Sequence, residues 1–160
     1  MSEPHDREPP FHALIGARCT LRDNGRARYE LTVGPQHLNR RGVAHGGVVG
    51  ALLDTALGTA VVAAIAPEEW CGTMQLSIQF REPVFPGTIT AEGRMARRGR
   101  TAAFAEGDVR DARGHLLATA EGVWTIWPQR PPGPGPVAPG RGGDGAAGRP
   151  GDRGPQPSGQ

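Results

Sequence analysis

The sequence predicts an α+β domain in which an antiparallel sheet of about six strands wraps one long central helix. Three observations predict it. The run GGVVGALLDTALGTAVVAAIA, Gly46 to Ala66, is apolar on nearly every side and meets no proline until Pro67, which marks a helix. Segments before and after it alternate polar and apolar residues between turn signals, as strands do. A helix apolar nearly all round needs cover on two sides, its own sheet on one and a second layer on the other, so a homo-oligomer is expected.

Taken in order, a short helix is predicted near Phe11 to Ile15, followed by strands in ARCTLRD and RARYELTV around the turn at Asn24-Gly25. An irregular stretch, GPQHLNRRGVAHGG, leads into the long helix. After Pro67 the period changes to two: GTMQLSIQF, TITAEGRMARR, TAAFAEGDVRD and HLLATAEGVWTIW read as four strands, separated by turns at Pro86-Gly87, Arg98-Gly99 and Arg113-Gly114. Four strands in succession suggest a meander.

The chain has 160 residues, and residues 11–127 are the predicted folded unit. The N-terminal residues 1–10 are polar and carry Pro4, Pro9 and Pro10, while Pro128 to Gln160 is dominated by Pro and Gly, too poor in large apolar side chains to offset chain entropy. Both ends are expected to be disordered. The formal charge is only +2, with arginines scattered rather than striped, which argues against a dedicated nucleic-acid binder. All 18 basic residues are Arg, so Schiff-base lysine chemistry and a Walker-type phosphate loop are excluded. Cys19 and Cys71 are two thiols without a metal-ligand spacing, expected to stay reduced in a cytoplasmic protein, and no metal is expected. The acidic, polar N-terminus lacks the pattern of a signal peptide. A membrane span is disfavoured because the long helix carries Asp54 at mid-span and four glycines.

Asp54 is the only ionisable side chain in that helix. A carboxylate placed among Val, Leu and Ala must be paired or used, and desolvation drives its pKa upward, toward a general base. Immediately upstream, His45, Gly46 and Gly47 open the helix, where an oriented backbone N–H could meet developing negative charge. The plain reading of Asp54 is a buried carboxylate satisfied by amides or Arg; that of Asn39 is an Asx-turn; that of the glycines is tight packing at a helix start.

The pattern N-x5-HGG with Asp nine residues after the His resembles hotdog-fold acyl-CoA thioesterases of the phenylacetate-pathway type, within the 4-hydroxybenzoyl-CoA thioesterase superfamily. The downstream stretch QFREPVFPGTITAEGRMARRGRTAAFAEGDVRDARGHLLATAEGVW extends the similarity over roughly Phe11 to Trp127. The resemblance implies a hotdog fold and hydrolysis of acyl-CoA to free acid and CoA, with CoA entering as part of the substrate and no cofactor. It implies Asp54 as general base or nucleophile, the Gly46 N–H as oxyanion donor, Gly47 as support of the turn, and Asn39 near the thioester facing a partner's helix. Thr73 falls where related enzymes position the attacking water. His45 is a further candidate acid or base, with a turn-capping role as the plain alternative. Arg97, Arg98 and Arg100 are candidates for the CoA phosphates, or simply a solvated turn. A homodimer or homotetramer with active sites at the subunit interface is implied, acting on aryl- or phenylacetyl-type or short-to-medium acyl-CoA.

Other hotdog branches fit less well: dehydratases pair a His in a Pro-rich segment with a helix Glu, and another thioesterase branch uses an acid before the helix, where this chain has none between Thr32 and Leu53. Two alternatives remain on sequence: an acyl-CoA-binding hotdog protein without turnover, and a hotdog enoyl-CoA hydratase.

Overall fold

Turn chemistry sets the first hairpin. In the computed structural model, which describes residues 9–133, Asn24 and Gly25 take φ of 39° and 78°, the left-handed pair of a two-residue hairpin turn. This turn joins β1 (Ala17–Asp23) to β2 (Arg26–Val33), with bounds as the sequence predicts. A short helix α1 (Pro10–Ile15) precedes them, begun by Pro10 at a position that needs no N–H and ended by Gly16 at φ 71°. The predicted disorder of residues 1–8 and 134–160 lies outside the described residues; residues 128–133 carry no helix or strand, and the Arg130 guanidinium lies 5.0 Å from the Trp70 ring centre.

Helix α2 spans Gly46–Val62 and is followed by β3 (Trp70–Phe80), β4 (Gly87–Arg98), β5 (Ala102–Asp111) and β6 (Leu116–Trp127). The helix stops four residues short of the predicted Ala66, with Ala63 as its C-cap. Pro67 pushes Ala66 away from helical geometry, and the Glu69 carboxylate accepts the Ala66 N–H at 2.9 Å, drawing the segment out of the helix.

All six strands form one antiparallel sheet in the order β1-β2-β4-β5-β6-β3. The predicted four-strand meander is corrected here: β4-β5-β6 is a meander, but β3 pairs with β6 at the far edge, and β4 pairs with β2 instead. The β3–β4 connection, REPVFP, holds Pro83 and Pro86, too stiff and long for a tight hairpin; it bonds the chain before α2 through Ala44 N–H to Val84 O, 2.8 Å.

The helix lays one stripe on this sheet. Val49, Leu52, Leu53, Ala56, Leu57, Ala60 and Val61, at helical spacing, are buried against Leu31, Ile89, Ala91, Val109 and Trp124. Each large side chain of that stripe contributes about 1.5–3 kcal/mol by burial. The opposite face, with Gly47, Ala51, Asp54, Thr55 and Val62, is only partly covered: Gly50 and Gly58 at its margin face Ile78 and Trp124 of the sheet, and the rest is half-buried or exposed. One long helix wrapped on one side by a six-stranded antiparallel sheet is the hotdog arrangement.

The buried His37 anchors the approach to α2. Its Nδ1 accepts the Gly34 N–H at 3.0 Å, so Nε2 carries the proton donated to Ile15 O at 3.0 Å. His37 O in turn accepts the His45 N–H at 2.8 Å.

Candidate active site at the open face of α2

Asp54 sits midway along α2, half-buried on the uncovered face rather than enclosed as its sequence context suggests. The buried stripe turns toward the sheet and rotates position 54 toward β3, the edge strand. There the Thr73 hydroxyl donates to Asp54 Oδ1 at 2.9 Å. Of the residues the sequence singles out, this pair and the neighbouring His45–Gly47 pair are the ones that the structure joins directly. The Thr73 bond holds one carboxylate oxygen and leaves Oδ2 to accept a proton from water or to attack a carbonyl.

The start of α2 is built by His45, with φ −61° and ψ 135°, whose Nδ1 accepts the Gly47 N–H at 2.9 Å as an N-cap. The capping alternative is therefore what the geometry displays for His45, and the Gly47 N–H is consumed by it. Gly46 is different: among the described residues its N–H has no hydrogen-bond partner, and it points out at the positive end of the helix. A Cβ built on Gly46 would meet the Phe80 ring at 3.4 Å, so the glycine keeps open the space beside this donor. Phe80, 57% exposed, is a site neighbour that sequence reasoning missed, because a terminal aromatic on an alternating strand carries no local mark of function.

Asn39 lies on the loop below. Its Oδ1 accepts the Arg41 N–H at 2.8 Å, an Asx-turn, while its backbone N–H donates to Val43 O at 2.8 Å. No hydrogen bond of the described residues joins Asn39 to Asp54, Thr73 or Gly46.

The arginine cluster is at the other end of the domain. Gly46 adjoins Phe80, which the strand register places level with Ala91, so Arg97 and Arg98 sit about 20–23 Å of strand beyond that level within one chain. The Arg97 guanidinium stacks 4.5 Å from the Phe104 ring centre. Arg98 is ion-paired with Glu69 and donates to Gly99 O at 2.7 Å. That pairing and the Ala66 N–H hold the Glu69 carboxyl below the usual carboxylate range. Of the three, Arg100 alone has no partner among the described residues.

Burial pushes the Cys71 thiol up. Among the described residues no three His, Cys, Asp or Glu side chains converge as metal ligands do, and no helix is long and apolar enough to cross a membrane. A cavity of about 370 Å³ opens between Ser77, Arg94, Glu106, Asp108 and Glu121 on the outer face of the sheet; it does not include Asp54.

Comparison with known proteins agrees with this fold. The Thioesterase superfamily model matches residues 41–118. A protein of Saccharolobus solfataricus named "Putative esterase SSO2140" is 35% identical over 104 residues, which are 65% of this chain and 74% of that one. The phenylacetic acid degradation-related protein of Ralstonia eutropha JMP134 superposes with a TM-score of 0.70 at 26% identity, covering 76% of this chain and 93% of that one. The E. coli PaaI protein from the phenylacetic acid degradation operon shares the fold, with a TM-score of 0.69 at 24% identity over 74% of this chain and 84% of that one. The chain thus belongs to the hotdog-fold thioesterase superfamily, the class of enzymes that hydrolyse thioesters.

Proposed function

We propose that the protein is a cytoplasmic acyl-CoA thioesterase whose active sites lie between two copies of the chain. The observation that carries the chemistry is the pair of features on α2: a carboxylate steadied by Thr73 on an open helix face, and an unpartnered Gly46 N–H at the helix N-terminus. In this reading Asp54 Oδ2 removes a proton from water as its oxygen attacks the thioester carbon. The resulting oxyanion is held by the Gly46 N–H. Collapse breaks the C–S bond, and the proton on Asp54 passes to the departing thiolate. A thiol is a good leaving group near neutral pH, so no separate acid is required and His45 keeps its capping role. Attack by the carboxylate itself, with water opening the acyl-enzyme anhydride, uses the same oxygen; heavy-oxygen label entering Asp54 in a single turnover distinguishes that route. Neither route uses a metal or a cofactor.

The two-copy arrangement follows from helix geometry. Gly46 and Asp54 are eight residues apart, about 12 Å of helix rise, whereas one thioester must touch both at hydrogen-bonding distance. Two α2 helices packed antiparallel across a twofold axis place Gly46 of one copy opposite Asp54 of the other. The open face suits such an approach, since Gly47 and Ala51 are small, and the edge strand β3 exposes Trp70 (46%), Met74 (66%) and Phe80 (57%) beside it. In that assembly Asn39 lies near the partner's helix, where its amide N–H groups serve the carbonyl. Aryl-acetyl and short-to-medium acyl groups are the expected substrates, supported by the phenylacetic acid degradation proteins among the structural relatives.

The test is free-thiol release from phenylacetyl-, benzoyl- and straight-chain acyl-CoA by the wild type beside Asp54→Asn. Turnover by the wild type with a loss of about 10²–10⁴ in the variant supports the reading. A folded wild type that releases no thiol from any ester overturns it; hydration of an enoyl-CoA, or binding without turnover, then takes its place.

A further inference from the structure

Trp124 is the one indole that the fold encloses: it is 2% exposed, whereas Trp70 and Trp127, at the ends of β3 and β6, are 46% and 37% exposed. Two glycines fix its ring. At Gly122 a Cβ would stand 2.8 Å from Cζ3 and 2.9 Å from Cη2, so the six-membered end lies over that glycine. At Gly58 a Cβ would stand 3.3 Å from Nε1, so the N–H end is turned toward α2. That N–H has no hydrogen-bond partner among the described residues. Every side-chain polar atom of those residues that the fold seals from solvent does have one, so Nε1 is not sealed and an oxygen atom can touch it.

This donor adjoins the site by two routes. Trp124 is the direct cross-strand partner of Thr73, whose hydroxyl holds Asp54, and such partners have Cβ atoms about 4.5–5.5 Å apart. Gly58 follows Asp54 by four residues, about 6 Å of helix rise. In the two-copy site the partner helix meets the face of Gly47, Ala51 and Asp54, while Nε1 lies under Gly58 at the margin between that face and the sheet. An indole N–H donates and never accepts, so its complement is an oxygen with no proton of its own to place, as in a ketone. The thioester carbon stands at Asp54 and carries two groups. The thiol arm leads to the charged phosphates of CoA, which stay in water, so the group that turns inward beneath the helix is the acyl chain. A purely apolar chain there strips water from the N–H and returns nothing, whereas a chain with an oxygen at that level restores the bond.

We propose that the Trp124 N–H is a specificity-determining donor for the acyl group, and that the protein favours acyl-CoA esters whose chain carries a keto oxygen beyond the thioester. The assignment rests on the acyl-CoA thioesterase reading above and names the substrate class of that same site. It gives Gly58 a definite part: the missing side chain is what leaves the indole nitrogen open.

The experiment measures kcat/KM by thiol release for hexanoyl-CoA and for its 4-oxo and 5-oxo analogues, using the full chain. The wild type is expected to favour one of the oxo esters over the plain one by about tenfold or more. Trp124→Phe removes the N–H and keeps an aromatic ring, whereas Gly58→Ala keeps the indole and sets a methyl group over its nitrogen. Both are expected to bring that ratio to about one. A merely structural defect slows all three esters alike and leaves the ratio where it was; should Trp124→Phe fail to fold, Gly58→Ala decides alone. A wild type with no preference, or a preference that survives in Gly58→Ala, overturns the assignment. If the wild type hydrolyses none of the esters, the thioesterase reading has failed, and the indole N–H resonance that Gly58→Ala displaces decides this one separately. A downfield shift of that resonance on adding an oxo ester, and none with hexanoyl-CoA, supports the donor; the same response to both, or none to either, overturns it.

Discussion

Replacing Gly93 by Ala tests how the helix is seated and, through it, the site. Gly93 lies on β4 directly beneath α2, and a Cβ there would stand 2.5 Å from Ala56 O, 2.6 Å from Ala56 C and 2.8 Å from Leu57 N. These are backbone atoms of the helix, so no side chain can rotate away; α2 must lift from the sheet by a large fraction of an ångström. Overpacking of this kind costs about 1–3 kcal/mol. For a domain of this size that lowers Tm by about 4–12 °C. The same lift moves Asp54 relative to Thr73, so the variant that remains folded is also expected to lose kcat/KM, since misplacement by about 1 Å can cost about 10². The assay is thermal unfolding by circular dichroism beside Gly133→Ala, a position with open space around it, followed by thiol release. A Gly93→Ala protein with the melting temperature of the control refutes the close seating of α2 on β4.

Three further outcomes are expected. Thr73→Val removes the hydroxyl that holds Asp54 Oδ1 and leaves the exposed strand position intact, so kcat/KM falls about tenfold with Tm unchanged; thiol-release kinetics check it. Gly46→Pro deletes the N–H donor while Gly46→Ala, the control, keeps it and adds the same Cβ beside Phe80; Pro is favoured at a helix start and His45, at ψ 135°, already has the conformation a following Pro demands. A rate loss of about 10²–10³ with the fold retained by circular dichroism is expected. Glu69 has a folded-state pKa below its ordinary 4.5, so its contribution to stability is present above that value and is lost as pH falls through the lowered one. The Tm difference between wild type and Glu69→Gln is therefore constant at neutral pH and shrinks below about pH 4.5; a difference that grows on acidification contradicts the Arg98 pairing.

Much of the fold was legible because it is written locally. The Asn24-Gly25 turn admits little but a hairpin, and the bounds of β1 and β2 follow from it. Alternation fixes β4, β5 and β6 to within about a residue of their observed ends. Strand order was not legible, since nothing in WCGTMQLSIQF says that its partner is β6 and not β4; the stiff REPVFP connection is the one local hint. The end of α2 was hidden for a similar reason: Ala63 to Ala66 continue the apolar run, and it is Glu69, pairing with Arg98 from another strand, that captures the Ala66 N–H. At the site, the isolation of Asp54 marked it from sequence alone, and its Thr73 partner was named by the family resemblance. The Arg97, Arg98 and Arg100 cluster shows in the sequence as charge alone; the Phe104 ring beside Arg97 and the Glu69 carboxylate beside Arg98 come from other elements and show only in the structure.

The central claim is a thioester site completed across two copies of the chain, and co-expression of Asp54→Asn with Gly46→Pro tests it most directly. Each variant alone lacks one half of every site. In a mixed twofold dimer one site regains both halves, so thiol release is expected to return to about a quarter of the wild-type rate in the statistical mixture. Recovery at that level supports the shared site. Mixed dimers, shown to form by differential tagging, that remain as inactive as either parent contradict it.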